Sequence, residues 1–157
     1  IANRGFYYTP HIIKDSEHVE IDPKCKERHY TMVDTTHFPK VVGGMYRAVN
    51  SGFGSGGTAS IAAVEGLDIC GKTGTAQNPL GDDHSTFISF APRNNPKIAI
   101  AVYVEHGVWG ATAAVPIASL IEEMYLTDTI RRPWLIEHVK NLELDYYKAY
   151  DRHKKRK

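Results

Sequence analysis

Two β-forming runs, "STFISFA" (85–91) and "KIAIAVYV" (97–104), are separated by only the five residues "PRNNP". A connection that short, rich in Pro and Asn, makes a hairpin and forces the two strands to be antiparallel, because parallel neighbours need a crossover of a dozen residues or more. In the second run Ile98, Ile100, Val102 and Val104 alternate with Ala99, Ala101 and Tyr103, so both faces are apolar. A strand of that kind is expected to be central and covered on both sides. Neighbouring strands joined by so short a turn are antiparallel, which favours an α+β fold over a doubly wound parallel sheet.

Helical periodicity supplies the cover. Val41, Val42, Met45, Ala48 and Val49 share one face of a helix expected over about 38–50, with Pro39 in its first turn and Asn50-Ser51-Gly52 as its stop. Gly43 and Gly44 within it cost about 1 kcal/mol each relative to Ala, which suggests close packing against another element. "SGFGSGG" reads as a flexible connector. A second helix is expected over about 111–126, with Ala114, Ile117, Ala118, Ile121, Met124 and Tyr125 as its buried stripe and Ser119, Glu122 and Glu123 on the opposite face. "WLIEHVKNLELDYYKAY" reads as a further helix ending in a basic tail. At the other end, "GFYYTPHIIKD" is extended and interrupted by Pro10, and residues 15–35 are polar and irregular. The expected domain occupies 1–126, followed by an extension at 127–157.

Composition excludes little. The 157 residues are 42% hydrophobic and 24% charged, as in one globular domain, and the net charge of +1 gives no sign of a nucleic-acid or membrane partner. No apolar run approaches the roughly 18 residues of a membrane span. Five basic residues crowd Asp151–Lys157, a pattern of solvated termini that polyanion-binding tails share. Ile1-Ala2-Asn3 before Arg4-Gly5 resembles the last turn of a helix, as in a piece of something longer. Cys25 and Cys70 are two thiols or one bridge. The eight histidines form no close zinc-like pair with Cys or His, and no metal or other cofactor is expected. Asp82-Asp83-His84 fits a polar turn or a weak cation site. Trp109 fits a groove wall or a packed aromatic beneath a Gly turn.

The stretch "GLDICGKTGTAQ" (66–77) carries two chemistries. Gly66 to Thr73 satisfies the G-x-x-x-x-G-K-[ST] pattern of a phosphate-binding loop, the mark of an NTPase. That loop needs a helix directly after it, whose N-terminus and Lys neutralise phosphate. Gly74, Pro79 and Gly81 oppose such a helix, and Asp68 would put a negative charge inside the cradle. Alternatively, Leu67-Asp68-Ile69-Cys70 alternates as the start of a strand over about 66–75. Lys72, Thr73 and Thr75 then present an ammonium and two hydroxyls to a carboxylate. Gly74 between the hydroxyls leaves the strand bare for an extended peptide.

This second reading has company. "GLDICGKTGTAQ", the hairpin "HSTFISFAPRNNPKIAIAVYVEHG" and "WGATAAVPIASLIEEMYL", preceded by "IANRGFYYTPHII" and "VVGGMYRAVNSGFGSGGTA", together resemble the C-terminal half of a class B penicillin-binding protein. The type it resembles is penicillin-binding protein 2, which serves cell elongation, and the likeness runs from Ile1 to about Leu126. Such a resemblance implies a penicillin-binding, β-lactamase-like transpeptidase fold. It also implies serine acyl transfer on D-alanyl-D-alanine stem peptides of peptidoglycan, with β-lactam antibiotics as mimics. Lys72, Thr73 and Thr75 would bind the terminal carboxylate, with Gly74 between them, and Gln77 would help position the loop. The backbone N–H of Thr75 would be one oxyanion-hole donor, a kind of contact worth about 100- to 1000-fold in rate.

The departure from that family is equally specific. No serine here begins S-x-x-K or S-x-N, the boxes that carry the nucleophile and the proton shuttle. The resemblance places both boxes N-terminal to Ile1, so this chain alone is expected to be catalytically silent. Two further strands that flank 97–104 in the family are likewise expected upstream, leaving an exposed sheet edge prone to self-association. The resemblance also implies a parent on the inner membrane with this domain in the periplasm, among the cell-elongation machinery. A non-catalytic peptide-binding module that never had a serine is the remaining alternative.

Overall fold

The computed structural model describes residues 1–144 other than His18, Phe53, Gly56 and Leu80. It divides into two compact units, Ile1–Val42 and Gly43 onward. In the first, β1 (Phe6–Tyr8) pairs antiparallel with β2 (Arg28–Tyr30), Tyr7 opposite His29. The second of these strands falls in the stretch read as irregular. What holds it is cross-strand contact, invisible to periodicity over three residues. Arg28 lies 4.6 Å above the Phe6 ring and donates from Nε to the Tyr8 hydroxyl at 2.9 Å, while Thr31 N–H donates to Gly5 O at 2.7 Å. Asp22 and Asp34 cap short 3-10 turns by accepting from the N–H groups of Lys24 and Thr36.

The helix α1 (Phe38–Asn50) has the bounds its periodicity implies, and the division between the units falls inside it. Its buried residues are Phe38, Val42, Met45 and Val49, at the i, i+4, i+7 and i+11 positions of one face, while Val41 is 47% exposed. The Gly43-Gly44 pair marks no close approach. A methyl at Gly44 would meet nothing within 4 Å, and at Gly43 its nearest neighbour is the Arg47 guanidinium at 3.6 Å.

The second unit is built on a three-stranded antiparallel sheet, order β3-β4-β5: β3 (Cys70–Ala76), β4 (His84–Ala91) and β5 (Ile98–Val104). Thr73, Phe87 and Val102 are in register across it. β3 starts at Cys70 and not near 66, because a turn closed by Leu67 N–H to Val64 O leads into Asp68 at φ 47° and interrupts the extension. β5 is an edge strand here and not central: Ile98, Ile100, Val102 and Val104 are half-buried, whereas Ala99, Ala101 and Tyr103 are exposed.

Helix α2 (Ala114–Thr127) packs on β4 and β5 with Ala114 and Ala118 of the expected stripe buried, but its buried face is rotated away from the C-terminal half of that stripe. Ser119, Glu122 and Glu123 are fully buried, and Ile121, Met124 and Tyr125 are 48, 49 and 61% exposed. The rotation has a chemical cause. Glu123 accepts from Arg131 N–H and from Arg132 Nε, both at 3.0 Å, and Arg132 continues to Ile61 O at 2.8 Å and Ser119 O at 3.3 Å. Arg132 thus brings the charge that makes burial of Glu123 tolerable. Helix α3 (Pro133–Lys140) follows, anchored by fully buried Leu135. The core gathers Val49, Leu67, Ile69, Phe87, Ala91, Val115 and Ala118 between sheet and helix. Cys25 is half-buried in the first unit and Cys70 buried in the second. The basic run Asp151–Lys157 lies outside the described residues.

Candidate functional site

Along β3 the side chains alternate between the two faces of the sheet. Lys72 and Gly74 sit opposite Ile88 and Thr86, while Thr73 and Thr75 sit opposite Phe87 and Ser85. Because β3 is an edge strand, its outer side has no partner strand among the described residues. That side borders an open groove of about 410 Å³. The strand contributes Lys72, Thr73, Gly74 and Thr75 to the lining, and Thr58 and the loop Trp109-Gly110-Ala111 complete it. Among the described residues lining it, Lys72 carries the only formal charge.

The polar groups are held in place from below. Lys72 Nζ donates to Thr73 O at 2.7 Å, so the ammonium is folded back along its own strand within reach of the groove. Thr73 Oγ1 donates to Thr58 Oγ1 at 3.3 Å. Two of the glycines here leave no room for a side chain. At Gly71 a Cβ would run into the Phe87 ring, and at Gly110 it would lie 2.8 Å from Thr86 O, 3.0 Å from Gly74 O and 3.0 Å from Thr73 Cβ. The groove-lining loop therefore rests on the β3–β4 backbone with no room for a side chain beneath it.

The loop is tied down elsewhere too. Ser85, fully buried, donates to Gly110 O at 3.3 Å and accepts from Ala114 N–H, the first residue of α2, at 3.0 Å. Val108 N–H donates to Asp83 O at 2.9 Å, and His106 N–H donates to His84 Nδ1 at 3.1 Å. Asp83 also accepts from Asn78 N–H at 2.9 Å, so Asp82-Asp83-His84 lies in a hydrogen-bonded polar turn. Among the described residues no cluster of three His, Cys, Asp or Glu is arranged to hold a metal ion.

Of the sequence-derived site residues, Lys72, Thr73, Gly74 and Thr75 come together at the groove. Gln77 is exposed one residue beyond β3 and does not line it. Trp109, 68% exposed, forms wall and not packing. The phosphate-loop reading of Gly66–Thr73 is overturned: the chain stays extended to Ala76, so no helix N-terminus faces Lys72. Thr58 and Gly110 were missed, and only the "GVWGAT" glycines hinted at the loop. An ammonium flanked by hydroxyls on an open strand edge has the chemistry to receive a carboxylate at the end of an extended chain. No serine lines the groove among the described residues, so the lining holds no nucleophile of that kind.

Comparison with known proteins places this geometry in context. Residues 1–123 match the family model of the penicillin binding protein transpeptidase domain. The chain is 30% identical to peptidoglycan D,D-transpeptidase MrdA of Haemophilus influenzae over 83% of its own length and 22% of that protein. It is 38% identical to the probable peptidoglycan D,D-transpeptidase PenA of Neisseria gonorrhoeae over 39% of its length and 12% of that protein. The crystal structure of Pseudomonas aeruginosa PBP2 in complex with WCK 5153 superposes with a TM-score of 0.61 at 32% identity, covering 93% of this chain and 29% of that one. The chain thus spans about a fifth of the length of its relative from H. influenzae.

Proposed function

This chain belongs to the penicillin binding protein transpeptidase family, and we propose that its β3 groove is the carboxylate-receiving wall of that family's peptide site. The observation that carries the reading is the convergence of Lys72, Thr73 and Thr75 on one open strand edge, walled by Thr58 and Trp109. Lys72 would neutralise the terminal carboxylate of a D-alanyl-D-alanine peptide or of a β-lactam, and the Thr hydroxyls would fix its orientation. Gly74 would let the peptide backbone approach, and the Thr75 N–H would face the developing oxyanion. Gln77 would act on the adjoining loop.

In the whole protein, a serine supplied from outside this sequence attacks the D-alanyl carbonyl, D-alanine leaves, and the acyl group passes to an amine of a neighbouring stem peptide. Without that serine the chain binds and does not acylate. This reading puts the whole protein at the inner membrane with this domain in the periplasm, working with the cell-elongation machinery. Among the described residues no helix is long and apolar enough to cross a membrane.

The test is titration of the chain with an N-acylated D-alanyl-D-alanine peptide, followed through the amide signals of Thr73–Thr75 and the Trp109 indole. Saturable shifts in those signals, lost in Lys72→Ala, are the expected result. Shifts elsewhere, or an undiminished response in Lys72→Ala, would overturn the assignment. A strictly non-catalytic module would give the same binding, and is separated from a transpeptidase by whether the full-length protein is acylated by penicillin.

A further inference from the structure

The loop that walls the groove is pinned by one bond that a proton can break. His106 N–H donates to His84 Nδ1 at 3.1 Å. A backbone N–H can only donate, so His84 Nδ1 must be bare and its ring neutral in this arrangement. The His106 Nδ1 stands 3.2 Å from Asp82 O and 3.5 Å from Asn78 Nδ2, so either ring tautomer keeps one of these contacts. His84 cannot gain a proton at Nδ1 without losing its bond to the His106 N–H. Histidine is the side chain whose charge changes between about pH 5 and 8.

We propose that His84 is a positioning residue for the groove: its bare Nδ1 holds the chain at His106, this sets the wall at Trp109 and Gly110, and protonation of the ring releases that wall. The proposal rests on the reading of the groove as a carboxylate site. Its leverage comes from proximity. His106 at φ 55° and Val108 at φ 64° are both in the left-handed region, disfavoured for these residues, so the turn between β5 and Trp109 depends on its tethers. Two other tethers are backbone and hydroxyl bonds that do not titrate: Val108 N–H to Asp83 O, and Ser85 Oγ to Gly110 O.

The charged and titratable neighbours are few enough to separate. The Tyr103 ring of β5 lies 5.3 Å from the His84 ring and the His106 ring 5.2 Å from it. Asp82 and Asp83 precede His84 in the turn, and Glu105 ends β5's approach to His106. From α3, His138 Nε2 stands 3.4 Å from Thr112 O, further along the same loop. A cationic His84 would repel a cationic His106 and so add to the release.

The test follows the His106 amide shift and the 15N relaxation of Gly107–Gly110 from about pH 8 to about pH 5, with the ring titrations of His84, His106 and His138 recorded alongside. Expected is a loop transition whose midpoint matches the His84 ring. His84→Asn, whose Oδ1 keeps an acceptor near the Nδ1 position but does not titrate, should hold the ordered loop throughout. His84→Phe should show the released loop at every pH, with unchanged Phe87 and Val102 signals reporting an intact core. A transition that persists in His84→Asn, or that tracks His106 or His138, overturns the proposal. In parallel, affinity for the acyl-D-alanyl-D-alanine peptide should fall roughly 5-fold or more across the transition in the wild type and stay level in His84→Asn. Constant affinity across a moving loop would overturn the link to the groove. A His84-dependent loop with no peptide binding at any pH would support the tether while rejecting the carboxylate reading itself.

Discussion

Arg132 Nε lies 3.0 Å from Glu123 Oε2, in an ion pair whose carboxylate is fully buried and whose guanidinium side is only 12% exposed. Arg132 precedes α3, Glu123 belongs to α2, and the guanidinium also donates to Ile61 O and Ser119 O. One side chain therefore fastens three segments behind the sheet.

Arg132→Ala leaves Glu123 charged and buried with only the Arg131 N–H as donor. The expected loss is about 3–5 kcal/mol, read as a lower urea midpoint. Arg132→Met with Glu123→Leu should lose much less, because no orphaned charge remains. Equal losses in the single and double variants would mean that packing of the Arg stem, and not the charge pair, is what holds α3.

Glu122 predicts a pH dependence. Burial pushes its carboxyl up to about 7, against the pull of the nearby Ser89 hydroxyl and of Arg132, and among the described residues nothing meets its oxygens in good hydrogen-bond geometry. A folded-state value above the unfolded 4.5 means that the native state holds the proton longer. Stability from this group is thus greatest below the unfolded value and falls as pH rises towards about 7. The fall is on the order of 3 kcal/mol and levels off above that pH. Glu122→Gln should flatten the profile and be the more stable protein at alkaline pH, as compared by urea unfolding at acidic and alkaline pH. A wild-type profile that rises over the same interval would contradict the assignment.

These two acids also show where sequence reading stops. The hairpin 85–104, the bounds of α1 and the strand character of Lys72-Thr73-Gly74-Thr75 follow from local spacing and turn chemistry, and the structure has them. The α2 face does not follow, because a pattern rule assigns Glu to solvent and cannot know that Arg132 will meet Glu123 from the next element. β2 is equally hidden, since its three residues depend on Arg28 reaching Phe6 and Tyr8. At the site, the motif residues were legible as a motif. Thr58 and Gly110, 15 and 36 residues from Thr73 and Gly74 along the chain, belong to the groove only through tertiary packing.

Gly110 gives the sharpest steric prediction. Its missing Cβ would meet two carbonyl oxygens of the sheet, Thr86 O and Gly74 O, neither of which can rotate away. Gly110→Ala should lift the Trp109 loop off β3 at a stability cost of about 1–3 kcal/mol. Peptide affinity should drop by a larger factor than that of Gly44→Ala, a substitution into open space that removes a helix-interior glycine. Calorimetric melting and peptide titration of both variants check it. Unchanged affinity in Gly110→Ala would mean that the loop's position does not matter to the groove.

The outer edge of β5 predicts self-association. Among the described residues its seven, Ile98–Val104, pair with β4 on one side only, and Ala99, Ala101 and Tyr103 present an uncharged exposed face beside it. Natural edges are blunted by Lys, Pro or a bulge; the strand itself carries none, and Lys97 stands just outside it. Sedimentation velocity over a concentration series should show this chain passing from monomer to dimer. Ala101→Lys, which puts a charge in mid-strand without entering the core, should restore the monomer and leave the melting temperature within a few degrees. If the wild-type chain stays monomeric at high concentration, the strand's twist or its exposed Tyr103 already protects the edge. If Ala101→Lys still dimerises, the contact lies on another surface, and the outward apolar row of α2 at Ile121, Met124 and Tyr125 becomes the place to mutate next.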